Sequence, residues 1–224
     1  MKLPLTVVFL GAPGAGKGTQ ARVLSGKYGI PHVSTGDILR EAIKLRTPLG
    51  LEAQKKMDAG ELVTDETVCL IVEERLRRSD CSQGFILDGF PRTISQAERL
   101  SEMLPRLSFP MPIVFHINAG QEELIKRLTG RRTCSVCRQI YNIHGQRPRI
   151  EGQCDVCGGR LELREDDKLE VIQGRFTEYT NQTQPLIQYY RERGLLFEIN
   201  GAKDIRSINL DILSLIKSSK VLSN

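Results

Sequence analysis

One stretch sets the architecture of this chain: Gly11-Ala12-Pro13-Gly14-Ala15-Gly16-Lys17-Gly18-Thr19. It follows a short apolar run at 5–10, which predicts a buried strand, and a helical pattern begins at Lys17. A glycine-rich turn between a strand and a helix points several backbone N–H groups at one anion, and the positive end of the helix adds to them. Lys17 can reach the outer phosphates. The stretch therefore predicts a nucleotide polyphosphate site, whereas a merely flexible loop would not require this order of elements.

Position 18 departs from the strict phosphate-loop pattern. That pattern places Ser or Thr directly after the lysine, where the hydroxyl can contact Mg²⁺. Here the position is Gly18, and the hydroxyl follows at Thr19. We therefore expect substrate phosphates and water to hold most of the magnesium ion, as Mg²⁺ often prefers.

Composition limits the classes of protein that this chain can belong to. Its 224 residues can bury one sizeable core, and 40% hydrophobic and 26% charged residues are ordinary for a soluble globular protein. The net charge of +5 suits an anionic small substrate, and without a block of like charges or aromatic-basic alternation we expect no nucleic-acid partner. No apolar run reaches the roughly 20 residues needed to cross a bilayer. The first apolar run is the base of the phosphate loop and not a secretory signal, so we expect a cytoplasmic protein without a membrane partner.

Strand and helix patterns alternate along most of the chain. Further strands are predicted at 85–87, 113–117 and 195–199, with a weaker one at 30–33 because Pro31 removes a ladder donor. Helices are predicted at about 17–28, 37–45, 66–77, 96–103 and 122–128, from about 167 to 193 with a break near Pro185, and after Asp204. Ser95 and Glu98 have the spacing of a capping box. The alternation predicts an α/β fold with a doubly wound parallel sheet, whose active site lies beyond the carboxyl ends of the strands.

Two segments interrupt the alternation and are predicted to be insertions at the rim of the sheet. Residues 34–63 show helical patterns only. Residues 130–167 are interpreted as loop-like, rich in Arg and Gly, and too poor in large apolar residues to build a core of their own.

The second insertion contains two cysteine pairs, Cys134-x-x-Cys137 and Cys154-x-x-Cys157. Two close pairs suit one tetrahedral zinc ion, and four thiolates leave no open coordination position, so the spacing predicts a structural site. Disulfides, or cysteines present by chance, are the alternatives, and a cytoplasmic chain disfavours the first of these. Cys69 and Cys81 are interpreted as ordinary unpaired thiols.

These motifs together resemble the adenylate kinase family in its bacterial form with a long, zinc-bearing lid. The phosphate loop matches with its Gly-Thr ending, and the segments 34–40, 60–65 and 88–93 resemble the monophosphate-binding segments of the family. Gly130-Arg131-Arg132 resembles the start of its lid, and Arg164-Glu165-Asp166-Asp167 the end. The resemblance runs in order over nearly the whole chain.

The resemblance implies a reaction, Mg·ATP + AMP ⇌ 2 ADP, which balances adenine nucleotides and serves AMP salvage. It implies a core P-loop domain at 1–33, 64–129 and 168–224, an AMP-binding domain at 34–63 and a lid at 130–167. It also implies a monomer whose two smaller domains close over the substrates, with Mg²⁺ bound alongside ATP and a structural Zn²⁺ in the lid.

Roles are implied residue by residue. The catalytic residues would be Lys17, Asp88, Arg92, Arg131, Arg164 and Arg175. ATP would be bound by Gly14, Ala15, Gly16, Lys17, Gly18, Thr19, Arg127, Arg131, Ile140, Tyr141 and Lys203. AMP would be bound by Thr35, Arg40, Glu61, Leu62, Val63, Gly89, Phe90, Pro91, Arg92, Gln96, Arg164 and Arg175, with Gln96 reading the adenine edge. The metal ligands would be Cys134, Cys137, Cys154 and Cys157.

Two other hypotheses about the function remain possible from the sequence alone. A kinase for another nucleoside monophosphate would keep every phosphate contact and differ only in the base pocket. A zinc-ribbon module could use the phosphate loop merely as a nucleotide sensor, but it would leave the lid arginines and the segment 88–92 without a purpose.

Overall fold

The computed structural model describes residues 3–219 and shows a parallel sheet with helices on both faces. The strands are β1 (Leu5–Leu10), β2 (His32–Ser34), β3 (Gly84–Asp88), β4 (Ile113–Asn118), β5 (Arg131–Cys134), β6 (Ile140–Asn142), β7 (Leu161–Glu162) and β8 (Leu196–Asn200). The helices are α1 (Lys17–Tyr28), α2 (Thr35–Lys44), α3 (Pro48–Asp58), α4 (Asp65–Leu76), α5 (Ile94–Arg106), α6 (Gln121–Gly130), α7 (Leu169–Glu178), α8 (Pro185–Glu192) and α9 (Ile205–Ser218). The predicted core domain also includes 1–2 and 220–224, which lie outside the described residues.

The main sheet has the strand order β2-β3-β1-β4-β8, and all of its pairs are parallel. β1 lies between β3 and β4, so that Val8 is aligned with Leu87 on one side and Val114 on the other. Since the strands run in one direction, their carboxyl ends form one rim. This arrangement confirms the predicted doubly wound α/β fold.

Alternating side chains of β1 build two core layers. Val8 and Leu10 pack on one face of the sheet, in a cluster with residues of α4, α5 and α8. Val7 and Phe9 pack on the other face, with residues of α1, α6, α7 and α9. Because both faces are covered, the strand is buried along its whole length and is apolar except for Thr6, which is why its sequence shows no period-two alternation.

Thr93 caps α5, and the predicted capping box at Ser95 and Glu98 is wrong. Thr93 has an extended backbone, and its Oγ1 accepts a hydrogen bond from Gln96 N at 3.1 Å. The helix therefore begins at Ile94, and Ser95 already lies within its first turn. The final helix begins as predicted, because the Asp204 carboxylate accepts from the backbone N–H groups of Arg206 and Ser207.

The insertion at 34–63 contains α2 and α3, in agreement with its helical pattern. The two helices approach each other closely at Gly50. A Cβ atom at this position would lie 2.0 Å from the carbonyl oxygen of Ala42, so only glycine fits. The helix pair thereby presents α2 to the rim of the main sheet.

The insertion at 130–167 contains a three-stranded antiparallel sheet of order β6-β5-β7, so its interpretation as loop-like is wrong. Its strands are two to four residues long, which is too short for a visible alternation in the sequence. Cys134, Tyr141, Cys154 and Leu161 form a small buried cluster, so the expectation that the segment lacks a core is also corrected.

The predicted long helix is interrupted near Pro185 as expected, but the interruption is a π-helical turn before the proline. α7 ends at Glu178, residues 179–183 form one π-helical turn, and Pro185 begins α8. Proline suits the first turn of a helix because it has no N–H to donate. The π turn aims Thr183 at the segment after β3, where its Oγ1 donates to the Arg92 carbonyl at 2.9 Å.

Within residues 3–219, no helix combines the length and the apolar character needed to cross a membrane.

Candidate active site

The glycine-rich stretch forms the loop between β1 and α1. Gly14 has a φ of 84°, and a Cβ atom there would lie 2.7 Å from the carbonyl oxygen of Leu124, so the loop needs glycine at this position. Lys17 is the first residue of α1, and its Nζ donates to the carbonyl oxygens of Gly11 at 2.7 Å and Ala12 at 3.0 Å. The loop thus places an amine and the start of a helix at the rim of the sheet.

The charges around Lys17 favour the binding of an anion. Burial is the main cause that lowers its pKa, and the pKa falls to about 7. Asp88 opposes this shift, while the charges of Arg92, Arg175 and Arg131 add to it. Negative phosphate oxygens beside Lys17 would favour its ammonium form.

Asp88 ends β3 opposite the loop, and His32 Nε2 donates to its Oδ2 at 3.2 Å. Burial alone would raise the pKa of Asp88, but the hydrogen bond and charge of His32, with Lys17 and Arg92, lower the pKa to about 2. A Cβ atom at Gly18 would lie 3.1 Å from Asp88 Oδ2. Gly18 therefore leaves room for the carboxylate to approach the loop.

Five arginines from different elements converge on the same space: Arg40, Arg92, Arg131, Arg164 and Arg175. Burial, followed by the charge of Arg175, lowers the pKa of Arg92 to about 10. Burial, followed by the charges of Arg131 and Arg40, lowers the pKa of Arg164 to about 9. The positive charges of neighbouring guanidinium groups thus add to the effect of burial at Arg92 and Arg164, so the arrangement favours a polyanion between them.

Two adjacent aspartates hold part of this cluster. The Asp167 carboxylate, whose residue is 1% exposed, accepts from Arg131 Nε at 2.6 Å and from Arg175 Nη1 at 2.8 Å. Asp166 lies 3.3 Å from Arg175 and 3.8 Å from Arg40. The pairs fix the orientation of the planar guanidinium groups, which suits bidentate contacts to phosphate oxygens.

The loop, Asp88 and the arginines line one cavity of about 750 Å³. Of the sequence-predicted nucleotide residues, it brings together Gly14, Ala15, Gly16, Lys17, Gly18, Thr19, Thr35, Arg40, Glu61, Leu62, Val63, Asp88, Gly89, Pro91, Arg92, Gln96, Arg127, Arg131, Ile140, Tyr141, Arg164, Arg175 and Lys203. Phe90 is different, because its fully buried side chain packs in the core beneath the rim. Tyr141 lines the cavity while its hydroxyl accepts from Asp155 N at 2.8 Å inside the insertion.

Sequence reasoning missed several residues of this cavity. His32, Asp37, His144, Gln146, Tyr179 and Thr183 also line it. Asp37 lies within the segment 34–40 and His32 lies just before it, so their position in the sequence was a usable signal. Thr183 had no local signal, since it reaches Arg92 from 91 positions away through the π turn.

The four cysteines of the insertion meet at one point, and all four sulfur atoms lie within 4.8 Å of one another. Cys134 and Cys157 are 3.5 Å apart, as are Cys137 and Cys154, whereas a disulfide bond would need about 2.05 Å. Four thiolates at about 2.3 Å from one ion fit these separations. The backbone N–H groups of Val136 and Cys137 point at Cys134 Sγ, which favours the thiolate that a metal requires. The group could therefore bind a metal ion.

Comparison with known proteins gives the family. A model of the family described as adenylate kinase matches residues 9–195. The chain is 50% identical to the adenylate kinase of Thermodesulfovibrio yellowstonii, over 95% of this chain and 99% of that protein. It is 49% identical to the adenylate kinase of Archaeoglobus fulgidus and 45% identical to that of Clostridium botulinum strain Loch Maree, each over 96% of this chain and 100% of the relative. The chain belongs to the adenylate kinase family.

Membership defines the enzyme class and confirms the resemblance seen in the motifs. Adenylate kinases are phosphotransferases of the nucleoside monophosphate kinase type, and this chain has adenylate kinase function. The hypothesis of a zinc-ribbon module with a nucleotide sensor is not supported, since the family model matches the phosphate loop and both insertions together.

Proposed function

We propose that this adenylate kinase catalyses Mg·ATP + AMP ⇌ 2 ADP within the cavity between the phosphate loop and the arginine cluster. One observation carries the proposal: Lys17 and the arginine cluster line a single cavity, and the pKa values of Lys17, Arg92, Arg164 and Arg175 are lowered. Each terminal phosphate carries about −1.5 to −2 charges at neutral pH, so two nucleotides would neutralise this excess.

The ATP side of the site would be the phosphate loop. Backbone N–H groups of 14–19 would hold the phosphates, with Lys17 at the β/γ end and Arg131 reaching them from the lid. Arg127, Ile140, Tyr141 and Lys203 would enclose the adenosine. Asp88 would hold Mg²⁺ through water, and the ion would neutralise charge on the phosphate oxygens.

The AMP side would be formed by the first insertion and the segment after β3. Thr35, Arg40, Gly89 and Arg92 would bind the phosphate with Arg164 and Arg175. The backbone of 61–63 and the side chain of Gln96 would read the adenine edge. Phe90 and Pro91 would act through their backbone and packing.

Phosphoryl transfer would then need alignment and little covalent chemistry from the protein. An oxygen of the AMP phosphate forms a bond to the γ-phosphorus of ATP, and the bond from that phosphorus to the β,γ-bridging oxygen breaks, which leaves two ADP molecules. A general base is unnecessary because the attacking oxygen is already an anion. The arginines neutralise the charge on the transferring group, and closure of the insertions excludes water.

The proposed domains follow from this mechanism: a core at 1–33, 64–129 and 168–224, an AMP-binding domain at 34–63 and a lid at 130–167. We expect the enzyme to be monomeric and cytoplasmic. The lid would carry a structural Zn²⁺ on Cys134, Cys137, Cys154 and Cys157, which stabilises the small β sheet and takes no part in the chemistry.

The decisive experiment measures ADP formation from Mg·ATP with AMP, GMP, CMP and UMP in parallel. We expect strong turnover with AMP alone. Preference for another monophosphate would retain the phosphate roles but overturn the base assignment. Absence of turnover with all four would overturn the proposed function.

The metal proposal has its own test, which does not depend on turnover. Purified protein should contain about one zinc per chain, and Cys154→Ser should lose it and melt at a lower temperature. Cys69→Ala is the control and should keep its metal content, because Cys69 lies on α4, outside the lid. A metal-free protein with an unchanged melting temperature would overturn the structural role.

A further inference from the structure

Gln96 is held at both ends of its side chain by groups of fixed polarity. Its Oε1 accepts from the backbone N–H of Arg92 at 2.7 Å, and its Nε2 donates to Oδ1 of Asp65 at 2.7 Å. A backbone N–H only donates and a carboxylate oxygen only accepts, so these two partners determine which end of the amide is oxygen. Gln96 is 2% exposed, which keeps water from competing for these contacts.

Asp65 is itself held in place. It is the first residue of α4, and its Oδ2 accepts from Thr93 Oγ1 at 2.6 Å. Thr93 Oγ1 in turn accepts from Gln96 N at 3.1 Å. The three side chains therefore close a ring of hydrogen bonds that uses both carboxylate oxygens, and the ring links the end of the AMP-side insertion to the start of α5.

A rotated amide would be strongly disfavoured in this ring. Exchange of the two ends of Gln96 would place Nε2 against the Arg92 N–H and Oε1 against the Asp65 carboxylate. Both contacts would join groups of like polarity at a buried position, and a buried polar group without a partner costs about 1–3 kcal/mol. The amide is therefore fixed in one orientation and not merely restrained in space.

The fixed orientation has a consequence for the base. An amide side chain has two N–H donors and two acceptor lone pairs, so one of each remains after the contacts to Asp65 and Arg92. Gln96 lines the cavity. The adenine edge offers a donor at N6 and an acceptor at N1, which match that remaining pair, whereas the hypoxanthine edge of IMP offers an acceptor at O6 and a donor at N1.

We propose that Asp65 is a positioning residue that makes Gln96 selective for adenine over bases of opposite edge polarity. This inference rests on the proposed function, in which Gln96 reads the base of AMP. Asp65 acts through Gln96: together with the Arg92 N–H, its carboxylate opposes the rotation that would let the same amide accept a 6-oxopurine.

The test compares kcat/KM for AMP and for IMP at saturating Mg·ATP. In Asp65→Ala we expect the preference for AMP to fall about tenfold, equivalent to about 1.4 kcal/mol, with the KM for ATP unchanged. Asp65→Asn should retain the preference, because its side-chain oxygen can accept from Nε2 and its nitrogen can donate to Thr93 Oγ1. Asp65→Ser keeps a polar group in the first helical turn, but a hydroxyl can donate or accept, so in this variant the preference should fall as far as it does in Asp65→Ala.

Two further variants separate this role from a general effect on the fold. Glu66 is the neighbouring first-turn acid of α4 and is exposed, so Glu66→Ala should leave the AMP to IMP ratio unchanged. Gln96→Ala should abolish most of the preference and thereby tests the proposed base reader itself. If Asp65→Ala does not fold, Asp65→Ser supplies the ratio.

The outcomes distinguish the two proposals. A wild-type enzyme without preference for AMP over IMP would overturn the assignment of Gln96. If the wild type is selective and Gln96→Ala is not, retained selectivity in Asp65→Ala and Asp65→Ser would overturn the role of Asp65 alone. Loss of selectivity in Asp65→Asn would overturn it as well, because the acceptor is then still present.

Discussion

Arg138 and Glu41 form an ion pair between the two insertions, with Arg138 Nη2 donating to Glu41 Oε2 at 3.0 Å across 97 positions of sequence. Arg138 directly follows Cys137, and its φ of 61° is unusual for a residue with a side chain. Its backbone N–H donates to the Cys134 carbonyl at 3.1 Å. The turn that gathers the cysteines therefore also directs Arg138 towards α2.

We predict that this pair stabilises the closed arrangement of the insertions. Arg138→Gln and Glu41→Gln should each raise the KM for AMP about two- to fivefold at low ionic strength, since an exposed pair contributes about 0.2–1 kcal/mol. The double variant should add nothing further, and the effect should disappear at high salt. Steady-state kinetics over a salt series measures this, with Arg147→Gln in the same insertion as the control. Additive single effects would contradict a direct interaction.

Lys17 should take up a proton when a nucleotide polyphosphate binds. Burial, reinforced by three arginines, lowers the pKa of its ammonium to about 7, so much of it is neutral at pH 8 in the free protein. Phosphate oxygens raise that pKa, and ATP binding between about pH 7 and 9 should therefore be coupled to uptake of up to about one proton. Calorimetric titrations in buffers of different ionisation enthalpy measure the uptake. Lys17→Met should abolish it, and equal uptake in that variant would refute the assignment.

The lowered pKa of Lys17 also makes the free energy of unfolding depend on pH. The folded-state pKa of Lys17 is below its ordinary value of 10.5, so unfolding takes up a proton between about pH 7 and 10.5. The contribution of this group to the free energy of unfolding should therefore rise with pH across that window. Denaturant titrations of the wild type and of Lys17→Met at pH 7 and pH 9 measure this. The difference in the free energy of unfolding between the two proteins should be smaller at pH 9 than at pH 7.

Asp167→Asn should impair the enzyme without altering any group proposed to touch the nucleotides. The buried carboxylate holds Arg131 and Arg175, and its loss leaves both cations without their shared partner. We expect kcat/KM to fall about 10- to 100-fold through misplaced arginines, and stability to fall by about 3 kcal/mol. Kinetics and thermal denaturation check this. Glu165→Gln is the matched control, because Glu165 is exposed, and its effect should stay within about 0.5 kcal/mol.

Gly50→Ala should destabilise the contact between α2 and α3. The added methyl group would lie 2.0 Å from the Ala42 carbonyl oxygen, so the helices must separate, at a cost of about 1–3 kcal/mol. The KM for AMP should rise while the KM for ATP changes little. Gly26→Ala is the control, since a Cβ atom in that turn of α1 meets no atom within 4 Å beyond the neighbouring backbone of its own helix, and it should be neutral or stabilising. Equal stability of the two variants would contradict the packing argument.

Some features of this enzyme could be predicted because they depend on residues close together in the chain. The apolar run 5–10, the glycine-rich stretch and the start of α1 at Lys17 carry their signals locally, as do the two cysteine pairs. The sheet of the insertion at 130–167 was not predicted because strands of two to four residues leave no periodic signal, and the cap at Thr93 was not predicted because several polar residues competed for the role.

The order of strands and helices, the phosphate loop and the donor set of the cysteine cluster were thus readable from the chain alone, because hydrophobic periodicity and motif spacing are local properties. The tertiary structure alone decided which polar side chains share a partner. Asp167 orients Arg131, 36 positions away, and Asp65 orients Gln96, 31 positions away. Such contacts depend on where the backbone returns and on which buried donors and acceptors must satisfy one another, and only the packed chain determines that.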